Sequence, residues 1–167
     1  MRRLSLPSVP SVIECFDISH LQGSDIVAGM ARYVDGRPDG SGFRRFAIRT
    51  VSGESDDARS LAEAVERRYS RLRRENARLP DLVMVDGGRV QLDAAADALL
   101  RCRAAVPVCA LAKRHEELYI ADTDRPLRLD PASPMMLLLR RLRDSTHRFA
   151  IAYNRASRRR ALIGKRK

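Results

Sequence analysis

Long hydrophobic runs are missing from this sequence. The N-terminal MRRLSLPSVPSV has basic residues but no continuous apolar stretch of the kind a secretory leader carries, and no segment approaches the length that spans a bilayer. Cysteine is scarce and unpatterned. Cys15, Cys102 and Cys109 lie in or beside apolar runs without Cys-x-x-Cys spacing, so neither a zinc knuckle nor a disulfide framework is indicated. A reducing, cytoplasmic setting and no membrane partner are expected. There is also no Gly-x-Ser-x-Gly and no Walker loop, and DGGRVQL (Asp86–Leu92) lacks Gly-x-Gly-x-x-Gly spacing. No internal repeat or low-complexity linker divides the chain.

Acids are in the minority, 21 Asp and Glu against 32 Lys and Arg, for a formal charge of +11. Such a balance attracts polyanions, and nucleic acid is the first partner to test. A basic surface with no particular ligand is the alternative. The basic residues cluster in RRYSRLRRENAR (Arg67–Arg78), in RRLRDSTHR (Arg140–Arg148) and in the acid-free RASRRRALIGKRK (Arg155–Lys167). With 167 residues, 44% of them hydrophobic, the chain suffices for one compact core. We expect a single domain over 1–167, with a flexible lead over about residues 1–10 and a solvated basic tail over about 155–167.

Val12–Phe16 reads as a buried strand and Asp25–Val34 as a second, after a polar turn at Gln22–Ser24. Turn formers fill DGRPDGSG (Asp35–Gly42), and Phe43–Thr50 reads as a third strand. Then the period changes. Leu61, Val65, Tyr69 and Leu72 recur at helical spacing, with Ser55 or Asp56 placed as the cap. LPDLVMVDGG (Leu79–Gly88) is a Pro-bounded strand that ends in an acid and two glycines, followed by a helix over Arg89–Cys102. Val106–Lys113 supplies a fifth strand, and ELYI with PLRL an outlying hairpin. A last helix starts at Ser133 and Pro134, with Leu138, Leu142 and Phe149 on one face and Arg140, Asp144 and His147 on the other. The predicted fold class is α/β: a mixed five-stranded sheet, a three-strand antiparallel meander plus two parallel strands, flanked by helices in an order like ribonuclease H.

Asp17 stands at the end of the first strand and Asp86 at the end of the fourth. If those strands are adjacent and parallel, both carboxylates reach one edge of the sheet. Either acid alone is more readily read as a turn or helix-capping residue. Two held together, however, require a shared proton or a bound cation, and a divalent metal suits a basic protein acting on a phosphodiester. His147 is either a polar-facing helical residue or part of such a site; His20 and His115 have weaker cases.

ECFDISHLQG, SDDARSL before RRYSRL, LPDLVMVDGGRVQL, LAKRHEELY and LRDSTHRFAI stand in the order seen in the UvrC excinuclease family. The chain resembles that family's C-terminal endonuclease domain over nearly its whole length. The resemblance implies a ribonuclease H-like fold and the 5′ incision beside a lesion during nucleotide excision repair. It implies a catalytic set of Asp17, Asp86 and His147, with a further aspartate, Asp57, before the long helix. Ala58 stands where the family commonly has an aromatic residue. The family's 3′-incision nuclease, UvrB-contacting segment and helix-hairpin-helix module have no counterpart here, so the chain resembles one excised domain or a reduced homologue.

Metal-assisted phosphodiester hydrolysis is therefore expected, with Asp17, Asp86 and His147 holding Mg²⁺ or Mn²⁺ and His147 either ligating metal or transferring a proton. Lys113, Arg114, Arg140 and Arg148 are candidate phosphate contacts. The expected partners are lesion-bearing double-stranded DNA and a UvrB–DNA complex. The rival is a noncatalytic basic module binding DNA or a repair partner on the same scaffold, indifferent to metal.

Overall fold

The computed structural model of the chain describes residue 6 and residues 8–20, 26–50, 56–113, 116–121, 123 and 125–164, with side chains of the last helix followed to residue 152. The strands are β1 (Val12–His20), β2 (Ile26–Val34), β3 (Arg37–Pro38), β4 (Arg44–Ala47), β5 (Leu82–Asp86), β6 (Val108–Ala112), β7 (Glu117–Ile120) and β8 (Leu127–Arg128). The helices are α1 (Asp57–Arg74), α2 (Arg89–Arg101) and α3 (Pro134–Gly164). All strands join one sheet in the order β3-β2-β1-β5-β6-β7-β8, with β4 also paired to β2.

The expected core is present: β1, β2 and β4 pair antiparallel, while β1, β5 and β6 pair parallel. The sheet has eight strands rather than five, because β3 and the hairpin β7–β8 add short edges. That hairpin continues the sheet by pairing antiparallel with β6, so it is not an outlier. The third predicted strand is shorter than Phe43–Thr50, ending at Ala47, where Arg49 and Thr50 turn their backbone amides to the Glu63 carboxylate instead. Helix α3 runs to Gly164, into the stretch expected to be tail. The predicted turn at Gln22–Ser24 and the cap candidate Ser55 lie outside the described residues.

β1 is buried almost throughout because it is central and covered on both faces. Alternation sends Phe16, with Ala28, Met30, Val83 and Val85, to the side of Leu61, Val65 and Tyr69 of α1 and Leu92 and Leu99 of α2. Ile13 and Cys15, with Ala31, Tyr33, Leu82 and Met84, go to the other side, under Met136, Leu139 and Leu142 of α3. Each fully buried Leu or Val contributes roughly 1.5–3 kcal/mol by leaving water. The structure is thus three layers, α1 and α2 over one face and α3 over the other.

Helix ends follow local chemistry. The Asp56 side chain caps α1 by accepting from the Arg59 amide at 2.9 Å. Ser133 Oγ accepts from the Met136 amide at 3.3 Å ahead of Pro134, as the sequence predicts. One buried polar cluster was not foreseen. Glu14, 1% exposed, accepts from Arg68 Nη2 at 2.6 Å and from the Tyr69 hydroxyl at 2.9 Å, tying β1 to α1.

Candidate metal centre

Parity places both acids. Asp17 shares the face of Ile13 and Cys15, and Asp86 that of Leu82 and Met84, so both carboxylates point to the α3 side of the sheet. Ile13 pairs with Leu82 and Phe16 with Val85 in the parallel ladder, and the next step sets Asp17 beside Asp86. Both are nearly enclosed, with side chains 7% and 6% exposed.

α3 completes the centre. His147 lies one helical turn beyond Arg143, and its Nδ1 sits 2.8 Å from Oδ2 of Asp17. Two contacts hold the helix at this height. The Tyr33 hydroxyl bonds Ser145 Oγ at 2.7 Å, and Phe149 packs edge-on against Phe43 with ring centroids 5.1 Å apart. Gly29, which pairs with Asp17 across β1 and β2, lets α3 approach: a Cβ there would lie 2.8 Å from the Cβ of Ala150. His147 is thereby seated over the acid, with Thr146 and Ala150 buried on either side of it.

One ligand atom from each of Asp17, Asp86 and His147 can be chosen so that all three lie within 4.8 Å of one another. Burial pushes the Asp17 carboxyl above its usual range, and the neighbouring charge of Asp86 adds to this, against the opposing hydrogen bond from His147. Lys113 Nζ stands 3.0 Å from Oδ2 of Asp86 as an ion pair, yet that buried oxygen receives no hydrogen bond. Two buried carboxylates with an unsatisfied oxygen, faced by an imidazole, form a hard-donor set that fits a divalent cation.

Around the centre is a cleft of about 350 Å³ lined by Asp17, Ile18, Asp57, Asp86, Gly87 and Lys113, among others. Asp57, the first residue of α1, faces the cleft but is not one of the three converging ligands; its Oδ1 lies 2.6 Å from Nε2 of His20. His20 thus bonds Asp57 at the rim of the cleft. The turn after β5 needs glycine: Gly87 has φ +148, and a Cβ there would fall 2.6 Å from Cγ of Gln91. Gln91 Oε1 in turn accepts from the Gly88 amide at 3.0 Å, which closes the turn onto α2.

The four candidate phosphate contacts separate. Lys113 lines the cleft and pairs with Asp86. Arg140 is engaged by Glu116, and Arg148 is exposed, 3.5 Å from Ser145 Oγ. Arg114, like His115, lies outside the described residues. Sequence reasoning missed the roles of Gly29 and Gln91. A glycine inside an otherwise apolar strand was the available signal for the first. Among the described residues, no helix is long and apolar enough to cross a membrane.

A family model described as the UvrC RNAse H endonuclease domain matches residues 1–151. The chain is similar to UvrABC system protein C of Methanosarcina mazei, 47% identical over 163 residues that make up 98% of this chain and 31% of that protein. It is similar also to UvrABC system protein C of Solibacter usitatus, 48% identical over 93% of this chain and 25% of that protein. It thus spans about a third or less of the length of these relatives. Among solved structures, Ciona intestinalis Endonuclease V in complex with a DNA containing an inosine followed by a ribo-adenosine aligns with 84% of this chain and 59% of its own, at 14% identity and a TM-score of 0.47.

Proposed function

As a member of the UvrC RNase H endonuclease domain family, this chain, we propose, is the divalent-metal-dependent domain that makes the 5′ incision beside a lesion in nucleotide excision repair. Its substrate is double-stranded DNA, presented by a UvrB–DNA complex to the longer protein of which such a domain is a part. The observation that carries this reading is the convergence of Asp17, Asp86 and His147, with both acids lining a surface cleft.

Asp17 and Asp86 would hold Mg²⁺ or Mn²⁺, and with them His147. A bound divalent ion supplies an activated water and stabilises charge on the phosphoryl oxygens. The protein's own groups do the rest. An ionised Asp17 carboxylate accepts only, so Nδ1 of His147 donates to it, and Nε2 is the ring nitrogen left for a cation or a proton in transit. With burial raising the Asp17 pKa, a nearby positive charge is needed to keep both acids ionised together. Lys113 supplies part of that charge beside Asp86 and faces the cleft where a phosphate would lie. Asp57, held by His20 at the rim, adds a further acid from α1.

The test is nicking of a lesion-containing duplex with and without Mg²⁺ or Mn²⁺, beside the Asp17→Asn variant and a small phosphate ester. Metal-dependent nicking that the variant lacks supports the reading. Binding of DNA that is indifferent to metal, with no nicking by either form, leaves only the noncatalytic module.

A further inference from the structure

The cluster Arg67–Arg78 plays no part in the centre described above. Its Arg67, Arg71 and Arg74 line a groove of about 780 Å³ between β4 and the exposed face of α1. Seven arginines and two glutamates line it. On α1, Arg59, Arg67, Arg71 and Arg74 follow one another at intervals of three, four or eight residues and so share a face.

Neither glutamate balances this charge freely. Glu63 accepts from the Arg49 and Thr50 amides, the Thr50 hydroxyl and Arg67. Burial would raise its pKa, but these donors outweigh it and hold the carboxyl below its usual range. Glu66 pairs with Arg101. At the two ends of the helical wall, Arg59 and Arg74 have no carboxylate partner among the described residues, and Arg44 donates to the carbonyls of Ser41 and Phe43 rather than to an acid. Among the described residues, the row of guanidinium groups thus ends, on both sides, in charges that no carboxylate pairs, as an external anion could.

Its position gives it a role. Arg59 stands two residues from Asp57, which lines the metal-centre cleft, so the groove and the cleft both reach the first turn of α1, on different sides of the helix. From Arg59 to Arg74 the helix rises about 22 Å. Along the axis of a duplex lying parallel to α1 a strand advances roughly 3.4 Å per phosphate, so the row spans about six base-pair steps.

We propose that this groove is the track that holds the sugar–phosphate backbone of the DNA running into the cleft. The identity of the polyanion as DNA rests on the endonuclease reading; the track itself rests on the arginines. Its contacts carry no base information, so it positions any sequence.

The experiment compares the chain with its Arg59→Ala/Arg74→Ala double variant and with Arg73→Ala, which removes one charge from the same helix outside the groove. Affinity for a short labelled duplex is measured between about 50 and about 200 mM salt. The double variant is expected to bind about tenfold more weakly at the lower salt, with a salt slope reduced by about two, whereas Arg73→Ala leaves the slope as it is. Metal-dependent nicking by the double variant should lose kcat/KM and keep kcat at saturating DNA. Unchanged affinity and slope, or an equal effect from Arg73→Ala, overturns the track. The two readings fail separately. Normal nicking and binding with Arg59 and Arg74 replaced removes the track and leaves the nuclease; salt-sensitive binding through the groove without nicking at any metal removes the nuclease and leaves the track.

Discussion

Nδ1 of His147 lies 2.8 Å from Oδ2 of Asp17, a bond that spans 130 positions of the chain and joins the last helix to the first strand. It orients the imidazole, and it places a partner for one of two carboxylates whose mutual repulsion the fold otherwise has to bear.

Asp17→Asn keeps the shape and removes the charge. Because the folded carboxyl has a raised pKa, its ionised form opposes folding, and that cost grows as pH rises through the unfolded value toward the folded one. At neutral pH the asparagine variant is therefore expected to melt slightly higher than the parent without metal. It should show none of the stabilisation by Mn²⁺ expected of the parent, and nick DNA about a thousandfold more slowly. Calorimetry with and without metal, beside a nicking assay, checks this. His147→Ala should share the loss of nicking with stability changed by no more than about 1 kcal/mol, since that side chain is 42% exposed.

Gly29 sets the height of α3. Gly29→Ala brings its new methyl to 2.8 Å from the Ala150 Cβ, so the helix must shift and His147 with it. We expect a loss of about 1–3 kcal/mol and slower incision. Adding Ala150→Gly should recover activity more than stability, because a glycine inside a helix itself costs about 1 kcal/mol. If the single variant nicks at the parental rate, the close approach does not position His147.

Glu14 is the counter-charge for Arg68 inside the α1 side of the core. Glu14→Ala strands the guanidinium and the Tyr69 hydroxyl, and urea unfolding should show a loss of about 3–5 kcal/mol. Glu14→Gln, which retains an acceptor, should lose less. Equal losses for the two would mean that shape, not the acceptor, matters at this position.

Asp81 anchors the start of β1, with Oδ2 accepting from the Val12 amide at 2.8 Å and the Ser11 amide at 2.9 Å. The bond from Val12, then that from Ser11 and the charge of Arg78, hold its pKa below the usual range. A depressed carboxyl contributes stability in full above its unfolded pKa and loses it as pH falls through the folded value. The parent should therefore lose about 1 kcal/mol from this site on acidification below about pH 4, and Asp81→Asn should flatten that part of the stability curve. Chemical denaturation across that pH range is the measurement.

Much of the site is legible in the sequence. Alternation in VIECFD and LVMVD marks which side chains share a face; Asp86 ends β5 as expected, whereas Asp17, expected at a strand end, lies within β1, because pairing with β2 carries that strand on to His20. His147 is legible as a polar-facing position but not as a partner of Asp17, because nothing in a helical repeat says which strand the helix will cross. Phe149 and Leu138, read as core, are only partly buried; the stripe that packs is Met136, Leu139, Leu142, Thr146 and Ala150. The Glu14 cluster is hidden for the same reason: a charged residue in a strand shows no partner until the strand and the helix meet.

What the sequence determined by itself is local: periods of two and of 3.6 residues, caps, turns, and hence the α/β order with an acid after the apolar run of each of two strands. What only the tertiary structure decided is which helix covers which face. α3, not α1, lies over the acid-bearing side, since Met136, Leu139 and Leu142 fit against Ile13, Cys15 and Met84 while Gly29 leaves room for Ala150. Such packing depends on shapes brought together from distant parts of the chain, and no periodicity within one segment encodes it. That contact turns a histidine near the end of the chain and an aspartate near its start into one centre.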